Sequence, residues 1–361
     1  MRKLLSAQLF LLFVGAAAPL YGGYIAVDLG TLGGAQSYAY SVNNSGQVAG
    51  YSDPSVGVDD AFLYSGGHMT SLGTLGGNAS YGFGINSLGQ VVGESYTSQN
   101  AREDAFLYSG GHMTDLGVLP GAGGSVAYAI NDSGQVAGFS GNDAFLYSGG
   151  HMTSLGTLGG SQSQAFAINN SGQVAGYSLT STGAQHAFLD SGGTMTDLGT
   201  LPGGIFSAAR GINNSGQVVG YSSNGTTDSA FLYSGGQMTY LGSLGGPAGS
   251  SANGINDLGQ VVGDAEATDF TTHAFLYSGG TMLDLTPWLA PAGFTGETIA
   301  YSINDSGWIA GYGVIGGDFH GFLLEPTTAT PEPSSLVLFG AAMACLSLVR
   351  MRRGTPNDLA K

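Results

Sequence analysis

Asn43-Asn44-Ser45-Gly46-Gln47-Val48-Ala49-Gly50 is one of seven closely similar segments in this chain. The others start at Asn86, Asn131, Asn169, Asn213, Asn256 and Asn304, at successive spacings of 43, 45, 38, 44, 43 and 48 residues. A repeat of that length specifies one supersecondary unit that buries its apolar faces only by stacking on its neighbours. Within the segment, Asn early and Gly last suit a type I turn closing into a G1 bulge, where glycine takes φ > 0 at little steric cost.

Working outward from the turn gives four strands per repeat. Tyr38-Ala39-Tyr40-Ser41-Val42 leads in and Gln47-Val48-Ala49-Gly50-Tyr51-Ser52 leads out, both rich in β-formers. Ala61-Phe62-Leu63-Tyr64-Ser65 is the third strand and, after Gly66-Gly67, His68-Met69-Thr70-Ser71-Leu72-Gly73 is the fourth. The third strand is apolar on both faces, as in a sheet covered on both sides. Small residues in the second strand (Ala49, Gly50, Gly138, Gly176, Gly220) are expected to let neighbouring sheets approach closely. No segment of the body sustains a helical period. The expected fold is all-β, a seven-bladed β-propeller of four-stranded blades.

The two ends supply the closure argument. The third-strand motif occurs seven times, at Ala61, Ala105, Ala144, Ala187, Ala230, Ala274 and, degenerate, Gly321. The fourth-strand motif follows only six of them, and its seventh copy, Tyr24-Ile25-Ala26-Val27-Asp28-Leu29-Gly30, precedes the first repeat. Pairing the spare N-terminal strand with the incomplete last blade closes the ring and removes its free ends.

The 65 glycines show no Gly-X-Y period, which excludes collagen; turns and close-packed strands account for them. Arg2 and Lys3, an apolar stretch from Leu4 to Ala18 and small residues at 16–18 read as a signal peptide (1–23) cleaved between 18 and 23, the alternative being a retained anchor. The body (24–326) has no cysteine; Cys345 lies in the C-terminal apolar segment, so stability must come from the packed ring. Between residues 24 and 330, 22 acidic side chains face two cations, Arg102 and Arg210, a formal charge of −20. That field disfavours nucleic acid and anionic polymers and suits neutral glycans, cationic partners or divalent ions; its plainest role is solubility.

The tail begins with a Pro/Thr linker (327–335) holding Pro331-Glu332-Pro333. A 14-residue apolar run (336–349) follows, then a basic stretch (350–361) led by Arg350, Arg352 and Arg353. The run is at the short limit for a single membrane-spanning helix, and the arginines favour the cytoplasmic side. This order resembles the PEP-CTERM sorting signal. The resemblance implies an exosortase-type membrane protease as partner, transient inner-membrane anchoring by the C-terminal segment, and delivery to the cell envelope, outer surface or matrix. Residues 354–361 extend beyond the arginines, where such proteins usually end, and a plain tail anchor is the alternative. The body, with AFLYSGGHMTSLGTLGG and INNSGQVVGYS, resembles the HAF family of extracellular repeats, named for the His-Ala-Phe found here at 186–188 and 273–275. That resemblance implies an exported repeat protein and brings no site residues.

Alternating loops place the near-invariant N-x-x-G and S-G-G turns on one face of a propeller and the variable second-to-third and fourth-to-first loops on the other. Variation gathered on one face marks a candidate binding surface, against which stands simple lack of constraint. On that face Trp288 and Phe294 are candidates for stacking on a sugar ring, and Asp59, Asp60, Glu103, Asp104, Asp228, Glu266 and Asp269 are its polar candidates. His68, His112 and His151 share one repeat position spread around the ring, so they do not converge on a metal. The LGTLGG segments precede no helix that could offer its N-terminus to phosphate, and N-x-x-G lacks the acidic series of a calcium loop. No nucleophile motif appears, and sequence-adjacent acids do not establish a glycosidase pair. No cofactor is implied.

The expected function is non-enzymatic: an exported scaffold that binds or organises exopolysaccharide or a surface protein. The alternatives are a polysaccharide lyase or hydrolase using acidic loop residues, and a purely structural coat component. Deleting residues 24–30 is expected to lower the melting temperature sharply in a circular dichroism melt; an unchanged melt would count against ring closure.

Overall fold

The computed structural model describes residues 21–55, 58–98 and 102–328. Residues 1–20 of the expected signal peptide (1–23), the PEP segment, the apolar run and the basic tail lie outside the described residues, while residues 21–23 belong to the first strand. Tyr24–Pro326 forms the compact body. Among the described residues no helix is long and apolar enough to cross a membrane.

The described chain forms 28 strands, β1 to β28 in chain order. In the first repeat these are β2 (Ser37–Val42), β3 (Val48–Ser55), β4 (Val58–Ser65) and β5 (His68–Ser71), one antiparallel sheet in the order 2-3-4-5. Four further sheets have four strands each. An eight-stranded one consists of two such antiparallel units joined by a single parallel bridge, Asp228 to Gly249. The last repeat contributes β26 (Thr298–Ile303), β27 (Ile309–Ile315) and β28 (Asp318–Thr328), and its fourth place is taken by β1 (Tyr21–Asp28). Outside the strands, the longest loop holds a one-turn helix, α1 (Thr286–Leu289), followed by a short 3-10 turn.

The turn that opened the sequence argument is built as its composition requires. Gly46 has φ +74°, its N–H donates to the Asn43 carbonyl, and the Asn43 N–H donates to the Gln47 carbonyl. The Asn43 side chain does more than stabilise its own hairpin. Its Oδ1 accepts the N–H groups of Ser45 and Gln47, while Nδ2 donates to Gln47 Oε1 and, at 2.9 Å, to the backbone carbonyl of Asn86 in the next repeat. Asn86 reaches Asn131 in the same way, followed by 169, 213, 256 and 304, and Asn304 donates back to the carbonyl of Asn43. All seven asparagines are buried, where an unpaired amide would be costly.

A second series of bonds joins the sheets farther out. The Ala61 N–H, freed where β4 and β5 diverge, donates to the buried Ser80 hydroxyl of the next sheet. The same bond recurs at each repeat and ends with Gly321 donating to Ser37 of the first. Apolar clusters fill the space between successive sheets. One holds Ala49, Ala61, Leu72, Ile85, Val91 and Phe106 from the first two sheets; another joins Leu29, Ala310 and Leu323 to Ala39, Val48 and Phe62. In each, a fully buried third-strand Phe fits against small residues of the sheet before it, worth about 2–3 kcal/mol per ring by area.

Two expectations change. The second-strand glycines do not serve sheet-to-sheet approach: a Cβ on Gly50 would meet the Tyr38 carbonyl and the Phe62 ring of its own sheet. The intersheet contacts fall on the first strand, where a Cβ on Gly82 would lie 2.7 Å from the Gly50 carbonyl. The histidine of His-Ala-Phe also has a specific partner. His186 contacts Asp197 at 2.9 Å and His273 contacts Asp284 at 2.9 Å, each across to the fourth strand. In two of the three repeats where Asp replaces His, Ser also replaces Asp: Ser71 donates to Asp60 and Ser154 to Asp143, whereas the third keeps Asp115 and its Asp104 is held by Arg102. In the last repeat His320 contacts Asp28 of β1 at 3.0 Å, so β1 fills the fourth-strand role down to its side-chain pairing.

Replacing Asn131 by Ala is expected to cost about 2–4 kcal/mol in urea unfolding, because buried backbone groups lose partners. Asn131→Asp, which keeps the acceptor and loses the donor, should cost at least as much. A loss under about 0.5 kcal/mol, typical of an exposed site, would contradict the role given to the amide.

Candidate functional site: a central funnel

Each first strand carries a bulge at the same place. In the pairing of β2 with β3, Ala39 faces Gly50 and Ser41 faces Ala49, leaving Tyr40 without a cross-strand partner. The same register shift leaves Phe83, Tyr128, Phe166, Arg210, Asn253 and Tyr301 unpaired in the other repeats. A bulge re-aims the extra side chain, and here all seven line one cavity of about 500 Å³. That volume is within the usual range for small-ligand sites.

The cavity narrows at Ile85, Ile130, Ile168, Ile212, Ile255 and Ile303, which also line a smaller cavity of about 180 Å³ on the side of the N-x-x-G turns. Because Tyr38 and Tyr40 precede that collar along the strand, the wide end opens toward the fourth-to-first and second-to-third loops. The funnel wall is an unbroken arc of rings. Tyr301 and Tyr40 centroids lie 4.8 Å apart, Tyr40 and Phe83 5.5 Å, Phe83 and Tyr128 5.2 Å, and Tyr128 and Phe166 5.1 Å. Tyr51 and Tyr312, one step along the second strands, stack behind Tyr40 and Tyr301.

Arg210 and Asn253 interrupt the arc. The exposed Arg210 guanidinium lies 4.9 Å from the Phe166 centroid and 5.6 Å from Tyr221, both within cation–π range. The ion pairs among the described residues do not include it. Asn253 donates to Asp264 and to the Ala300 carbonyl, both at 3.0 Å. Asp264 and Glu94 occupy the second-strand position that holds an aromatic ring in the other five repeats. Burial pushes the Asp264 carboxyl up to about 6, against the opposing hydrogen bond from Asn253 and the charge of Arg210. Burial and then the charge of Glu103 push Glu94 up to about 7. Burial raises Tyr38 to about 12 and raises Tyr40 and Tyr312 as well, so these phenols remain neutral donors.

Most residues singled out from sequence lie elsewhere. Phe294 is fully buried, edge-on to Phe322 at 5.6 Å, and is a core residue that no sugar reaches. The loop folds back through α1 to bury it. Trp288 is half-buried, edge-on to Tyr24 at 5.8 Å. Asp104 is buried and held by Arg102 at 2.7 Å. Asp60 accepts from Ser71, Asp269 from Thr271 and Glu266 from the Ala248 N–H; Glu103 is exposed, and Asp228 belongs to the bridge between two sheets. Asp59 accepts at 3.3 Å from Tyr81, which is edge-on to Tyr51 behind the funnel wall. Among the described residues no cluster of His, Cys, Asp and Glu could hold a metal.

The funnel residues had a sequence signal that the motif reading passed over. Each stands three places before the turn asparagine, and that column reads Tyr, Phe, Tyr, Phe, Arg, Asn, Tyr within strands of small residues.

Residues 329–353 match the PEP-CTERM protein-sorting motif, which implies an exported protein sorted to the envelope or surface through exosortase. No curated protein matches the chain in sequence. In fold it is similar to a puromycin-hydrolysing peptidase of Mycobacterium tuberculosis, with a TM-score of 0.50 and 12% identity over 81% of this chain and 52% of that one. The chain thus spans about half the length of that peptidase. Weaker likenesses include the β-propeller domain of the Trilobed protease from Pyrococcus furiosus (TM-score 0.36, 7% identity, 69% of this chain and 98% of that one). Another is a lectin from Aleuria aurantia in complex with α-methyl-L-fucoside (TM-score 0.36, 12% identity, 70% and 96%). The chain is all-β, built of four-stranded sheets, and carries a sorting signal for export.

Glu94 sets a pH dependence. Its pKa is higher folded than unfolded, so the folded state holds a proton that the unfolded chain releases between about pH 4.5 and 7. Stability from this group is full below that window and is lost as pH rises through it. Glu94→Gln should therefore stabilise the protein at pH 8, by on the order of 1–3 kcal/mol, and change little at pH 4. An equal effect at both pH values in urea titrations would contradict this.

Proposed function

We propose that the chain is a seven-bladed β-propeller closed by its N-terminal strand, built of HAF-type repeats, that binds exopolysaccharide in the central funnel without turning it over. The observation that carries the binding reading is the arc of five contiguous rings at bulged positions, which the fold itself does not need. Aromatic faces stack on the apolar faces of sugar rings, and the neutral phenols, the Arg210 donors and the Asn253 carbonyl offer hydrogen bonds to hydroxyls. The asparagine and serine bond series and the pairing of β1 with β28 support a closed ring. Processing of the PEP segment by an exosortase-type protease would leave the propeller at the surface or in the matrix, consistent with the sorting motif.

A second reading, a polysaccharide lyase or hydrolase, is favoured by one observation: Glu94 and Asp264 hold protons close to neutral pH, as general acids do. Tyr40→Ala and Phe83→Ala are each expected to weaken binding of the producing cell's exopolysaccharide about tenfold, since stacking contributes on the order of 1 kcal/mol per ring pair. The melting temperature should stay within a few degrees. Unchanged binding in pull-down and calorimetry would sink the funnel reading, and shortening of the polymer, abolished by Glu94→Gln, would replace it with the enzymatic one.

A further inference from the structure

Resting on the reading of the funnel as a glycan site, the geometry points to a cationic glycan: we propose that the funnel selects sugar chains bearing free or quaternary amines. Three independent observations converge. First, the chain itself shows what the wall accepts. At one of seven equivalent bulged positions stands Arg210, and its guanidinium rests on Phe166 of the neighbouring repeat and Tyr221 of its own. The rings of Tyr40, Tyr51, Tyr301 and Tyr312, on the opposite part of the circle, form the same kind of surface. Among the described residues no Lys or Arg sits on them: these are Arg102, bound to Asp104, and Arg210.

Second, the charge around those open rings is negative. Asp59 takes the Tyr81 hydroxyl on one side of Tyr51, and Glu297 precedes β26 on the other, while Glu94 and Asp264 stand in the second-strand ring. Asp59 and Glu297 thus supply negative charge near these rings, and Glu94 and Asp264 add to it as pH rises past about 7 and 6. Third, the body as a whole carries a formal charge of −20 between residues 24 and 330, which steers cations toward a cleft and polyanions away from it. An amine on a sugar ring uses both parts of this surface at once: the ring stacks, and the ammonium meets an aromatic face beside a carboxylate.

The test is calorimetry on the full chain at pH 7.5 with three short oligomers of matched length: N-trimethylglucosamine, whose charge does not titrate, N-acetylglucosamine, and glucuronate. The trimethylated oligomer should bind about tenfold more tightly than the acetylated one. The Glu94→Gln/Asp264→Asn double variant should abolish that preference, bringing the trimethylated and acetylated oligomers to equal affinity. Arg210→Ala should tighten the cationic oligomer by about threefold by removing a like charge. Equal binding of the cationic and acetylated oligomers, lost in Tyr40→Ala, would overturn the charge selection and leave the funnel as a glycan site. Preference for glucuronate, weakened by Arg210→Ala, would overturn it in favour of an acidic glycan. Binding of none of the three would overturn both the selection and the reading on which it rests.

Discussion

The side-chain amide of the turn asparagine is the interaction on which the rest of this structure depends. One end of it closes its own hairpin by accepting two backbone N–H groups, and the other end donates to the next repeat's backbone. Aspartate could do the first and not the second; serine is too short to do both. The same atom pair therefore fixes local turn geometry and the spacing between neighbours, and the last asparagine finds its acceptor in the first repeat. This polar line is supported by buried Phe side chains fitting against small residues between sheets. Removing the apolar surface from water supplies most of the driving force, and the amides set the angle at which it is buried.

That constraint also determines where variation is allowed. The turn asparagine, the isoleucine (valine at 42) just before it and the small residues of the first strand are committed to contacts between and within sheets. The bulged residue between them has no cross-strand partner and does not pack between sheets. It is the one place near the centre where side chains can change without disturbing the repeat, and seven such places converge on one cavity. Repetition thus gives a rigid collar, and the exception to pairing gives the collar a chemical character: aromatic on five sides, polar at Arg210 and Asn253.

Much of the fold was legible because its determinants are local and repeated. The glycine at φ > 0 in Asn43-x-x-Gly46, the four strands per repeat and the spare strand ending at Asp28 could all be read from spacing and turn chemistry. The funnel was not read, because a bulge is invisible in a period-two pattern: Tyr40 simply looks like one more aromatic in a strand. The role of Gly50 was not legible either, because the Tyr38 carbonyl and the Phe62 ring that leave no room for a Cβ come from strands paired with its own. A long Pro-containing loop reads as surface, which points to Phe294 and Trp288 as stacking candidates; the loop instead carries Leu289 and Phe294 into the core and leaves Trp288 half-buried. The His–Asp pairs across third and fourth strands have a counterpart in the Asp–Ser pairs of the first and third repeats, a swap that becomes meaningful only once the two strands are known to be neighbours.

The central proposal is that seven bulged segments far apart in sequence, which line one cavity, bind glycan together. Hydrogen–deuterium exchange of the full chain, with and without saturating exopolysaccharide from the producing cell, tests it most directly. The account predicts added protection in the first strands of all seven repeats together, strongest around residues 40, 83, 128 and 301. Protection confined to the outer loops, or to a few consecutive repeats, would contradict it.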